Sequence, residues 1–109
     1  MDSASLLRLV SERTRHAILS ELRQGERAVG QLVTVLDDEQ TNVSHHLATL
    51  RQANLVAVRK AGRQQFYRLS DPEVGRLLDQ VETLAAKLDQ VAYVSALGLP
   101  LQPTFHGYG

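Results

Sequence analysis

Two features of this sequence could support chemistry: its histidines and a long basic stretch. His16 falls four residues after Glu12, His45 and His46 are adjacent, and His106 lies near the end of the chain. A Glu and a His at i and i+4 share one face of a helix. Such a pair can be half of a metal site, or a solvated surface pair. Asp71 and Glu73 are further carboxylates that a fold or a dimer could bring near His16 or His106. Neutral imidazole with carboxylate suits nickel, cobalt or zinc rather than soft ions. There is no cysteine, which excludes disulfides, thiolate metal sites and a thiol nucleophile. Ser44 beside two histidines is no catalytic triad, because i and i+1 neighbours on a helix point in different directions. No glycine-rich phosphate loop occurs. Nothing here reads as an enzyme.

The basic stretch is more informative. The formal net charge is zero, but residues 40–69 carry Arg51, Arg59, Lys60, Arg63 and Arg68 with no acid, while the flanking segments are both net acidic. A thirty-residue block without carboxylates favours an anionic partner, and a polyphosphate is the obvious one. Aromatic residues make up 5% of the chain and there is no Trp, which argues against a platform for stacking single-stranded bases. With 109 residues the chain is the size of one domain. No apolar run approaches the ~20 residues of a membrane span. The first residues lack the pattern of a secretory signal, so a cytoplasmic protein without membrane contact is expected.

The elements that must position these residues follow from periodicity. Leu6, Leu7, Leu9 and Val10 suggest a first helix capped by Ser3 or Ser5. Ala17, Ile18, Leu19 and Leu22 give a second helix opening at Thr14, with Gly25 as a stop signal. Val29, Leu32, Val33 and Leu36 give a third, broken by Asp37, Asp38 and Glu39. Val43, Leu47 and Leu50 mark a fourth helix from Gln40 to Ala53, ended near Asn54. The period then changes to two: Val56 to Arg59 and Gln65 to Leu69 alternate around a turn at Ala61-Gly62-Arg63, the pattern of a β-hairpin. After Asp71-Pro72 a long helix carries Val74, Leu77, Leu78, Val81, Leu84 and Leu88 at spacings of three and four. Residues 97–109, rich in Gly and Pro, are expected to be an irregular tail following a single domain over 1–96.

Three short helices, a fourth with a polar face and then a basic hairpin make the order of a winged helix-turn-helix, mainly α with a small β-hairpin. In that architecture the fourth helix enters the major groove of double-stranded DNA. Its polar positions, Gln40, Thr41, Asn42, Ser44, His45 and His46, can all hydrogen-bond to base edges or phosphates. Val43, Leu47 and Leu50 remain to pack inward. Arg59, Lys60 and Arg63 surround the tip of the hairpin, where long cations can reach the DNA backbone or the minor groove.

Four segments together resemble the ArsR/SmtB family: T-R-H-A-I-L at Thr14–Leu19, Q-T-N-V-S-H-H-L at Gln40–Leu47, L-R-Q-A-N-L-V at Leu50–Val56 and G-R-Q-Q-F-Y-R-L at Gly62–Leu69. The likeness runs from about Leu6 to Leu88. It implies a transcriptional repressor that binds operator DNA as a homodimer joined through its first and last helices. It also implies DNA reading by Gln40, Thr41, Asn42, Ser44, His45 and His46, with Arg59, Lys60 and Arg63 holding the backbone. Many members release DNA when a metal binds. The family's third-helix C-x-C positions are Ala28 and Gly30 here, and its last-helix site falls on Asp71, Glu73, Leu84 and Lys87. A Leu cannot ligate and a Lys repels a cation, so both sites are broken. Asp71 is better explained as a cap or first-turn acid of the last helix. Any metal response would need an atypical set drawn from His16, His106, Glu12, Asp71 and Glu73. The alternatives are a regulator that answers to a non-metallic signal or a protein co-regulator, and an interaction module that keeps the fold without DNA binding.

Overall fold

The computed structural model describes residues 1–98. Helix α1 spans Ser3–Ser11 and α2 spans Arg13–Leu22. A short strand β1, Arg27–Ala28, leads directly into α3, Val29–Leu36, and then α4, Gln40–Gln52. Strands β2, Val56–Ala61, and β3, Gln64–Leu69, form a hairpin, and α5 covers Pro72–Ala96. The chain divides into two compact units, Met1–Arg76 and the segment from Leu77 onward.

Each boundary has a local cause. Helix α1 is capped by Asp2, whose Oδ1 accepts from the Ser5 N–H at 2.7 Å, and not by Ser3 or Ser5 as expected. The carboxylate one residue upstream supplies an ionised acceptor for a free amide at the positive helix end, and both serines lie inside the helix. Glu12 caps α2, accepting from Thr14 N–H at 3.0 Å and Arg15 N–H at 2.9 Å. Helices α3 and α4 end at Asp37 and Asn54, which take the left-handed conformation with φ of 51° and 62°. The link between β2 and β3 is two residues, with Gly62 at φ 63°, the first central position where such hairpins need a positive φ. Asp71 caps α5, its Oδ1 accepting from Glu73 N–H at 2.8 Å, with Pro72 in the first turn where no amide donor is required.

The hairpin is not alone. Strand β1 pairs antiparallel with β3, Arg27 opposite Tyr67 and Ala28 opposite Phe66, giving a three-stranded sheet in the order β1-β3-β2. Two residues are too few for an alternating pattern, so the sequence carries no sign of this strand. In the first unit the core is made by Ile18, Leu19, Leu32, Val43, Leu47 and Leu50, all fully buried, with Leu22, Leu55, Val56 and Tyr67 around them. Each such leucine contributes roughly 1.5–3 kcal/mol by its burial. Helix α2 packs against α3 and α4, so the helix-turn-helix pair is seated on α2 and closed at one edge by the sheet. In the second unit Val81, Leu84 and Leu88 are 40%, 49% and 58% exposed.

Candidate nucleic-acid interface

Helix α4 separates its two faces. Val43, Leu47 and Leu50 are wholly buried, whereas Gln40, Thr41, Asn42, Ser44 and His45 are exposed in its first two turns. This is what a 3.6-residue period does with apolar positions four and three apart. The turn before it, Asp37 to Glu39, holds the start of α4 in place. Asp38 accepts from the Glu39 N–H through Oδ1 and from Asn42 Nδ2 through Oδ2, each at 2.7 Å. The Asn42 amide, then the Glu39 N–H, outweigh burial and together with the nearby His46 hold the Asp38 carboxyl below its ordinary pKa. Asn42 is thus fixed through its amide nitrogen, leaving its carbonyl oxygen to accept.

His46 is placed differently from its neighbours. It is half-buried and its ring lies edge-on to His45. Its Nδ1 is 3.2 Å from Arg15 Nη1 and 3.6 Å from Glu12 Oε2. Arg15 also donates from Nε to the Leu9 carbonyl at 2.7 Å, so one guanidinium joins the end of α1 to α4. Burial alone would raise the Glu12 pKa, but the Thr14 and Arg15 amides, with the charges of His46 and Arg15, outweigh it and hold the carboxyl below its ordinary range.

The wing cations divide into two kinds. Arg59 donates from Nε to both Glu26 oxygens at 3.0 and 2.9 Å, and from Nη2 to Oε1 at 2.7 Å. Its guanidinium also stacks over the Phe66 ring, 4.6 Å from the centroid, where a cation gains from the ring quadrupole. Lys60 and Arg63 are exposed, and neither forms an ion pair among the described residues. Strand alternation is the reason: Arg59 lies opposite Phe66 on one face, and Lys60 lies opposite Gln65 on the other.

The residues considered as metal ligands are dispersed. Glu12 and Asp71 cap α2 and α5, Glu73 lies 3.9 Å from Arg76 Nη2, and His16 is half-buried on α2. His106 lies outside the described residues. Among the described residues no three His, Asp or Glu side chains come together in a way that could hold a metal ion. Two groups missed in the sequence shape the site, Glu26 and Arg15. Their partners stand more than thirty positions away, and no local spacing marks them. The Asp38–Asn42 pair, at i and i+4, was open to view.

Residues 12–58, from the cap of α2 into β2, match the family of bacterial regulatory proteins of the arsR type. The transcriptional activator HlyU of Vibrio cholerae is 35% identical over 85 residues, covering 78% of this chain and 79% of its own length. The chain belongs to the ArsR/SmtB family. Members of this family are winged helix-turn-helix transcriptional regulators rather than enzymes. The biofilm growth-associated repressor of Agrobacterium fabrum is 37% identical over 76 residues, 70% of this chain. This chain spans 65% of that repressor's length, just under two thirds. A solution structure from Mycobacterium bovis, described as a homodimeric winged helix-turn-helix DNA-binding domain of a possible ArsR-family regulator, superposes with a TM-score of 0.69 at 31% identity, covering 80% of this chain and 89% of that one. No helix among the described residues is long and apolar enough to cross a membrane.

Proposed function

We propose that this ArsR/SmtB chain is a sequence-specific repressor that binds double-stranded operator DNA as a homodimer joined through α1 and α5. The observation that carries the reading is the exposed row Gln40, Thr41, Asn42, Ser44 and His45 on α4, beside a wing whose Lys60 and Arg63 have no ion-pair partner among the described residues. Polar side chains at the start of such a helix read base edges, and unpaired cations beside them neutralise phosphates. The exposed Val81, Leu84 and Leu88 on α5 and Leu7 on α1 supply apolar surface for a second copy. Repression is supported by the name of the Agrobacterium relative, and the Mycobacterium bovis domain is itself described as a homodimer. The test is selection of bound duplexes from a random library. Enrichment of a two-fold symmetric site, with half-sites about 34–36 Å or a multiple of that apart, is expected. A pool that stays random would refute sequence-specific binding.

The reading includes no metal step. Of the residues named as ligands, Glu12 and Asp71 already cap the starts of α2 and α5. Among the described residues these side chains form no cluster that could hold a metal ion, and His106 lies outside those residues. Titration of wild-type and His16→Ala, His106→Ala protein with nickel, cobalt and zinc ions decides the matter. Saturable binding by wild type that the double variant loses would restore the metal-responsive alternative.

A further inference from the structure

The outer half of the wing has no core of its own. Val56 and Tyr67 are buried at its base, where α4 packs on β2 while α2 and α3 pack on β3. From Arg59 through Gln64 every residue is exposed. A two-stranded ribbon without packing is marginally stable in water, and β1 adds two ladder pairs, both to β3. Arg59 is where the exposed ribbon is tied back to the body. It lies opposite Phe66, crosses that ring at 4.6 Å from the centroid and reaches the Glu26 carboxylate just before β1. One guanidinium therefore runs from β2 over the central strand β3 to the start of β1. Glu26 is itself held from α2. Arg27 Nη1 donates to the Glu26 carbonyl at 2.9 Å, and Arg27 Nε lies 3.5 Å from Glu21 Oε1 in the last turn of α2. The Arg59 hydrogen bonds, with the charges of Arg59 and Arg68, outweigh burial and hold the Glu26 carboxyl below its ordinary pKa.

We infer that Glu26 is a positioning residue for DNA binding: through Arg59 it fixes the stance of the wing on the helix-turn-helix pair, so that Lys60 and Arg63 meet the duplex already in place. The inference rests on the DNA-binding reading above and gives a role in it to a carboxylate, the group least suited to touch DNA. The competing role for such a pair is that Glu26 withholds Arg59 from a phosphate. The geometry favours positioning, because Arg59 is stacked and held by both carboxylate oxygens on the face of β2 opposite Lys60. The two roles differ in sign. Removing an acid that only withholds a cation tightens binding to a polyanion. Releasing a positioned wing weakens binding, because the wing must then be ordered as the complex forms.

The test is a double-mutant cycle read on a mixed-sequence DNA duplex over a series of salt concentrations, with the full chain. Glu26→Ala should bind roughly two- to tenfold more weakly than wild type, the cost of ordering a mobile segment on binding. Arg59→Ala should lose at least as much, since it also leaves Glu26 unpaired. The variant carrying both changes should bind more tightly than Arg59→Ala, because the unpaired acid is gone. Loss of Glu26 thus weakens binding when Arg59 is present and strengthens it when Arg59 is absent, a reversal that a purely structural role of Glu26 does not produce. The salt slope stays near that of wild type, because Lys60 and Arg63 still reach their phosphates in the complex. Glu26→Gln, which keeps the size of the side chain, should weaken binding in the same direction, and thermal unfolding of each variant shows whether it is folded at the assay temperature. Tighter binding with a steeper salt slope for Glu26→Ala would assign Glu26 the withholding role instead. Unchanged affinity, or losses that add in the double variant, would equally overturn the positioning role. If wild type itself binds no duplex, the DNA-binding reading fails and this role falls with it.

Discussion

Glu12 joins the stability of α2 to the placement of α4, and Glu12→Gln separates its charge from its shape. The carboxylate accepts from two free amides at the start of α2, at 3.0 and 2.9 Å, and faces His46 at 3.6 Å. Glutamine keeps one acceptor oxygen but loses the second and the charge. A helix cap contributes about 1 kcal/mol, and an acid at a helix N-terminus a further ~0.3–1 kcal/mol. The side chain is 34% exposed, so solvent screens part of the charge effect. A net loss of about 1 kcal/mol is expected, which lowers Tm by roughly 4–8 °C for a domain of this size. The pH dependence gives the sharper test. The Glu12 pKa is lowered on folding, so its contribution is fully present above the unfolded value and is lost as pH falls through the folded one. Thermal unfolding of both proteins at equal concentration, from neutral pH down through the carboxylate range, should show the Tm gap closing. A gap that persists unchanged in acid would mean that the amides of α2 are not held by the Glu12 charge.

Further outcomes follow from the same geometry. Leu84→Asp places a charge in the exposed α5 stripe and should yield a monomer by sedimentation with operator binding abolished; a variant that sediments with wild type would remove α5 from the interface. Ser44→Ala should weaken operator binding by about 1–3 kcal/mol while sparing random DNA, as removal of a base-edge contact does. Arg63→Ala should weaken both DNAs and flatten the salt dependence by about two units per dimer, one for each lost phosphate contact. Arg59→Ala, in contrast, should leave the salt slope nearer wild type, because Glu26 already neutralises it.

The helices were legible because each carries enough apolar positions to reveal its period: Val43, Leu47 and Leu50 alone orient α4, and their burial exposes the polar row between them. Asn54 and Asp71 were readable as terminators and caps because their function depends on adjacent backbone. What escaped notice was either very short or very distant. Strand β1 is two residues long and exists only through β3, whose Tyr67 and Phe66 stand opposite it. Glu12 was paired by local spacing with His16, but its carboxylate meets His46 on another helix, a contact that only tertiary packing creates. Arg59 looked like Lys60 and Arg63 by charge, yet strand alternation turned it to the other face, where Glu26 and Phe66 hold it.

The Arg15 guanidinium, held between the Leu9 carbonyl and His46, acts as a strut of fixed length. In the proposed dimer α1 belongs to the subunit seam, so this strut ties the seam to the base-reading helix of the same subunit. The distance between the two reading helices is then set near the seam rather than at the DNA. A change in the seam would be transmitted as a change in the half-site spacing that the dimer can span. Selection on operator spacing would therefore act on Arg15, a residue on neither the reading helix nor the wing, whereas position 9 contributes only a backbone carbonyl that any residue supplies.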